Sequence, residues 1–247
     1  MIDKRLVELR KRVRSSRKIV VDTILEDHSA SICIVCGATD DLTKEHVVPK
    51  WAFDNNQKKF FVTAINGIGQ SYSKTTLPAC EECNGHLLGS LERYIEQLFR
   101  HSDVTQTPLS DSDKQKVILW LELIDYKFQA LDLRRKLKKP KDGPYIKFLA
   151  DYPVGVMQRL DLSPSKVFSM FRNSLKRLEI ADKSKRLNSL VVFSTSNENY
   201  HFFHQANEYI FVELPQCKIA LFYYINKNFI DERSAYESAM NIIKKVY

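Results

Sequence analysis

The sequence predicts an α+β protein, and three observations point there. Two Cys-x-x-Cys pairs, Cys33/Cys36 and Cys80/Cys83, enclose short β-prone stretches and turn residues. Two later segments repeat apolar residues at helical spacing. Four runs toward the C-terminus are rich in β-branched and aromatic residues separated by Asn, Pro and polar breaks.

Taken in order, residues 1–28 read as a basic helical arm. Leu6, Leu9, Val13, Val20 and Leu25 recur among many charges, as in one or two amphipathic helices. Residues 29–107 read as a compact ββα unit, with turns marked by Gly37, Asp40, Asp41, Pro49, Asn66-Gly67 and Gly69. Its helix is expected from Ala79 or Cys80 to about Arg100, with Pro78 before it and Leu87, Leu88, Leu91, Ile95, Leu98 and Phe99 as its apolar stripe. Residues 108–247 read as a separate α+β region. Ser110 or Ser112 caps a long helix carrying Val117, Trp120, Leu121, Ile124, Phe128, Leu131 and Leu137, which Lys138 to Pro144 ends. Ser163-Pro164 opens another helix to about Ile180. Leu190–Ser194, Tyr200–His204, Tyr209–Leu214 and Lys218–Ile225 form an antiparallel meander, and Asp231–Val246 a closing helix.

Composition narrows the class. With 247 residues and 44% apolar content the chain can build a core. Five cysteines are an awkward number for a disulfide framework, and the N-terminal segment is studded with Lys and Arg, so the expected location is the reducing cytoplasm. The most apolar stretch, Val117–Ile124, is interrupted by Glu122 and far too short to span a bilayer, so no membrane partner is expected. A net charge of +8 favours a polyanion, with basic runs at Lys4–Lys18, Arg134–Lys141 and Arg172–Arg186.

The paired cysteines supply four thiolates, and a two-residue gap lets both sulfurs of one knuckle reach a tetrahedral metal, so Cys33, Cys36, Cys80 and Cys83 are expected to hold a structural Zn²⁺. The stretch between the knuckles exceeds a zinc-ribbon gap, so a functional element is inserted there, and Glu45-His46 lies within it. Cys217, alone in an apolar pattern, reads as a core residue. Phosphodiester hydrolysis needs a base for water and a cation for the developing charge. His46 can act as base, while Glu45 and Asn84 offer hard oxygens for Mg²⁺ or Mn²⁺. Adjacent strand residues point to opposite faces, so such a site requires a strand end, and Pro49 supports that break.

Together, Cys-x-x-Cys, Lys44-Glu45-His46-Val47-Val48-Pro49 and Cys-x-x-Cys-Asn resemble the HNH endonucleases of the zinc-knuckle branch, over roughly residues 30 to 100. The resemblance implies a ββα-metal fold with one catalytic divalent ion, His46 as general base, and Glu45 and Asn84 as metal ligands. Thr75 or Thr76 stands where the family's middle Asn ties down the hairpin loop, and Leu87 and Leu88 stand where a Lys often follows the last ligand. Lys44, Lys50 and His86 are candidate phosphate contacts; Trp51 reads as packing over the small core rather than stacking on a base. His201 and His204 fall on opposite faces of a strand and are not a metal pair.

The function expected from this is metal-dependent cleavage of nucleic acid, DNA before RNA. The Glu-His-Val-Val-Pro-Lys-Trp run also resembles stand-alone or operon-encoded HNH proteins of bacterial phage defence, which implies a regulatory protein or ATPase partner. The competing expectation is a noncatalytic zinc-stabilised module that binds nucleic acid or protein. Oligomeric state and sequence specificity have no signature in the residues.

Overall fold

A computed structural model describes residues 2–27, 30–56, 60–62, 69–101, 104, 107–136, 145–146, 152–153 and 164–246. The Asn66-Gly67 turn, Leu137, the Lys138–Pro144 helix end and Ser163 lie outside the described residues. The chain is a mixed α+β structure with antiparallel sheets. Helix α1 (Ile2–Glu26) is one continuous helix rather than two. Strand β1 (Leu42–His46) pairs antiparallel with β4 (Thr76–Cys80), and the short β2 (Phe60–Val62) and β3 (Gly69–Ser71) pair with each other in the chain between them.

The helix after β4 begins later than the sequence suggests. Ala79 and Cys80 complete the β1/β4 ladder opposite Thr43 and Leu42. A wide π-helical stretch (Glu82–Leu88) follows and passes into α2 (Gly89–His101). The Gly89 N–H reaches back to the Asn84 carbonyl, and a Cβ on Gly89 would stand 3.0 Å from that oxygen, a tight approach that glycine relieves. Arg93 and Ser90 donate to the carbonyls of Gly85 and His86 that the wide turn opens.

Ser110 caps α3 (Asp111–Lys136) by accepting the Asp113 N–H at 3.1 Å. The apolar residues of α3 recur at helical spacing, and the positions between them are inside as well: every residue from Lys116 to Leu131 is buried. The helix runs through the middle of the molecule. Three of its charged residues are therefore core residues answered from outside the helix: Glu122 by Lys183 and the Tyr223 hydroxyl, Asp125 by Arg177 and His204, and Lys127 by Glu45 and Glu92. Burial alone would raise the Asp125 pKa. It is lowered instead, because the His204 hydrogen bond, the Arg177 charge and the Asn207 N–H outweigh burial.

β5 (Tyr145–Ile146) pairs with β6 (Tyr152–Pro153), and helix α4 (Pro164–Glu179) packs on both α1 and α3. The four C-terminal strands, β7 (Leu190–Ser194), β8 (His201–Gln205), β9 (Tyr209–Leu214) and β10 (Ile219–Tyr224), stand in the order β7-β10-β9-β8. Only the last three form a meander; the first joins the sheet beside the last. Helix α5 (Glu232–Val246), capped by Asp231 at the Ser234 N–H, packs on β7 through Ala235 and Ala239.

One apolar cluster extends from Leu6 of α1 through Ile34, Leu77, Leu91, Trp120 and Phe171 to Ile225. The cysteine-bearing hairpin and the later helices and sheet thus share a core. No described helix is long and apolar enough to cross a membrane.

Removing one partner of a buried pair strands the other charge, at a typical cost of about 3–5 kcal/mol. Asp125→Ala, which abandons both Arg177 and His204, is expected to lower unfolding stability by that amount in urea titration, whereas Arg233→Ala, in an exposed i,i+4 pair with Glu237, shifts it by under ~0.5 kcal/mol.

Candidate metal centre and the histidine beside it

The first knuckle is built by backbone. Gly37 takes a positive φ of 76°, its N–H returns to the Cys33 carbonyl at 2.8 Å, and the Cys33 N–H reaches the Ala38 carbonyl at 2.7 Å. The tight turn aims Cys33 and Cys36 the same way. The second knuckle is the passage from β4 into the π-helical stretch, where Cys80 ends the strand and Cys83 lies in the first wide turn. Ladder pairing of Leu42 with Cys80 brings the two knuckles together.

The four sulfurs lie within 4.8 Å of one another, with Cys36 and Cys80 at 3.7 Å. Four arms of about 2.3 Å directed tetrahedrally give edges of ~3.8 Å, so the cluster is compatible with a zinc site. Its electrostatics agree. Cys33 is pulled down to about 4 by a hydrogen bond from the Cys83 thiol and by backbone N–H groups of Cys80, Cys36 and Val35. Burial and the neighbouring Cys33 charge hold Cys36 up, at about 11. Cys83 is raised further by its bond to Cys33 and by burial. Without a cation only part of the cluster ionises; a divalent metal would let all four thiolates form. The Arg12 guanidinium, 3.7 Å from the Cys83 sulfur, adds positive charge from α1. Cys217 lies apart in a short turn (Pro215–Cys217), packed against the core rather than within a strand.

His46 is the last residue of β1, and its half-buried ring is held from the loop before β4. Its Nε2 lies 3.3 Å from the Ser73 carbonyl oxygen, which can only accept, so Nε2 carries the proton and Nδ1 keeps its lone pair. Burial lowers the His46 pKa, helped by the Lys50 and Lys127 charges and opposed by the Ser73 carbonyl and Glu45. Thr75 secures the same loop. Its hydroxyl donates to the Ser71 carbonyl at 2.8 Å, and its own carbonyl accepts the Val47 N–H at 3.1 Å.

Glu45 faces inward. It is 4% exposed and pairs with the Lys127 ammonium of α3, which also contacts the His46 carbonyl at 3.1 Å and Glu92 of α2 at 3.0 Å. Burial pushes Glu92 up to about 7, although Lys127 draws it the other way. Asn84 donates through Nδ2 to the Thr43 hydroxyl at 2.8 Å, two positions before Glu45 on β1, and Oδ1 is its remaining acceptor. Alternation along β1 sets Thr43 and Glu45 on one side and Lys44 and His46 on the other, so the Glu45 carboxylate and the His46 ring leave the ladder on opposite faces, and Asn84 meets the exposed Thr43 rather than the buried Glu45. Lys44, Lys50 and His86 are solvent-exposed. Trp51 is buried and stacks on Trp120 of α3 at 5.6 Å, and Phe53 packs on Tyr72, so neither ring presents a face for a nucleobase. His201 pairs with Glu213 and His204 with Asp125, two separate contacts.

Three participants escaped sequence reasoning. Ser73 acts through its backbone carbonyl, which has no side-chain signature. Glu92 sits on the α2 face beside Ser90 and Leu91 and looks like an ordinary surface acid. Lys127 interrupts the apolar run of α3, and only a charge facing the core side of that helix hinted at a buried partner.

No protein-family model matches the chain, and no curated protein or solved structure matches it either.

Metal analysis is expected to give one tightly held zinc per chain. Cys83→Ser should abolish that stoichiometry and, because metal affinity is linked to folding, lower the thermal midpoint, as should a strong chelator. Cys217→Ser should keep the full zinc content.

Proposed function

We propose that the chain is a metal-dependent nuclease of the HNH type that hydrolyses phosphodiester bonds in nucleic acid, DNA before RNA. The observation that carries the reading is the fixed tautomer of His46: a backbone carbonyl takes one ring nitrogen, leaving the other free to accept a proton from water. The imidazole stands at a strand end whose hairpin partner leads through a four-cysteine cluster into a helix, the order of parts that the resemblance implies.

The donor set suits a hard divalent ion. Glu45 and Asn84 offer a carboxylate and an amide oxygen, each beyond the one contact described above. Glu45 and Asn84 would hold such an ion, and when bound it would stabilise charge developing on the phosphate. His46 would deprotonate the water, while Lys44, Lys50 and His86 are placed in solvent where a phosphate backbone can reach them. Arg14 and Arg17 of α1 share the single carboxylate Glu179 of α4, leaving a net positive seam that favours a polyanion.

The competing reading, a noncatalytic zinc-stabilised module that binds nucleic acid or protein, draws on the buried ion pair of Glu45. Plasmid, single-stranded DNA and RNA incubated with Mg²⁺ or Mn²⁺ separate the two. Cleavage by the wild type should fall by about 10²-fold or more in His46→Ala at equal zinc content. Binding with no His46-dependent cleavage would leave the noncatalytic module as the answer.

A further inference from the structure

We infer that Lys127 is a positioning residue of the cleavage site, a built-in cation that locks the end of β1 against α2. The inference rests on the nuclease reading and names a residue from outside the hairpin and its helix.

Three oxygens from the two elements of the site converge on one ammonium. Glu45 Oε1 and the His46 carbonyl come from the end of β1, and Glu92 Oε1 comes from α2. The other buried pairs of α3 behave differently: Glu122 and Asp125 reach Lys183 and Arg177, which belong to neither element. Lys127 is 2% exposed, so solvent does not dilute these contacts. The ammonium stands between the buried Glu45 carboxylate and the part-buried Glu92 carboxylate, so an opposite charge separates the two like ones.

Three consequences follow for the reaction. With one oxygen of Glu45 held, the direction of the other is set. The peptide of His46 is fixed from inside while Ser73 fixes its ring from the loop, so the base is held at both ends. A like charge beside Glu45 also opposes movement of a divalent ion inward between Glu45 and Glu92. Lys127 thereby governs where the ion and the base stand, without touching the reacting atoms.

The comparison is Lys127→Met, close in length and without charge, against Lys127→Arg and the wild type. Each is loaded with zinc and checked for zinc content and thermal midpoint. Turnover at saturating Mn²⁺ and nucleic acid should drop by about 10²-fold in Lys127→Met with KM for nucleic acid little changed, since a small misplacement costs rate rather than substrate binding. Mn²⁺ binding, read by electron paramagnetic resonance without nucleic acid, should be as tight as in the wild type or tighter, because a repelling charge has gone. Lys127→Arg should recover part of the turnover.

If Lys127→Met does not fold, the charge-balanced Lys127→Met/Glu92→Met chain carries the same comparison. Wild-type turnover in the variant, or losses of turnover, Mn²⁺ binding and zinc in equal proportion, would overturn the inference while leaving the nuclease reading in place. A wild type that neither binds Mn²⁺ nor cuts would remove both.

Discussion

The structure depends on the burial of charge along α3. A helix surrounded on all sides would ordinarily be apolar throughout, yet this one carries Glu122, Asp125 and Lys127 into the core. Each ion taken out of water loses several kcal/mol of hydration, which only close and well-bonded partners offset. Those partners come from the segment after α4, from α4 and β8, and from β1 and α2. The helix thus dictates which neighbours surround it and in what rotation, because an incorrectly seated neighbour would leave a bare charge in the interior. Apolar packing alone would tolerate a slid or rotated helix far more readily.

This arrangement links the two ends of the chain's organisation. The cysteine cluster fixes the hairpin to the start of α2, but it is a local staple and does not orient that unit against the remainder. Trp51 on Trp120, Tyr126 donating to the Ile34 carbonyl, and Lys127 on Glu45 supply that orientation, all from α3. A candidate base at the end of a short two-stranded ladder is in this way supported by a 26-residue helix from the centre of the molecule.

Much of this was legible in the residues. The cysteine spacing located the four-sulfur cluster, because two-residue gaps bring both thiols of a knuckle to one point. Ser110, Pro164 and Asp231 marked helix starts through the chemistry of their side chains and ring. Other features were not legible. The strand β7 pairs with β10 and packs on α5, and nothing in Leu190–Ser194 distinguishes one antiparallel partner from another. The buried charges of α3 left no local pattern, since their partners outside the helix lie 35 to 101 positions away. Cys80 looked like the start of a helix because apolar periodicity continues through a π-helical stretch whose widened turn leaves no mark on composition.

The strand order has a bearing on biosynthesis. β7 leaves the ribosome with its ladder groups bare and acquires β10, its one strand neighbour among the described residues, after β8 and β9 have been made. At ~5–20 residues per second that interval lasts on the order of seconds, long enough for an uncovered edge to meet other nascent chains. Its apolar Leu-Val-Val-Phe run makes that meeting adhesive, so yield in a heterologous host should respond more to translation rate and chaperone supply than to the stability of the finished molecule.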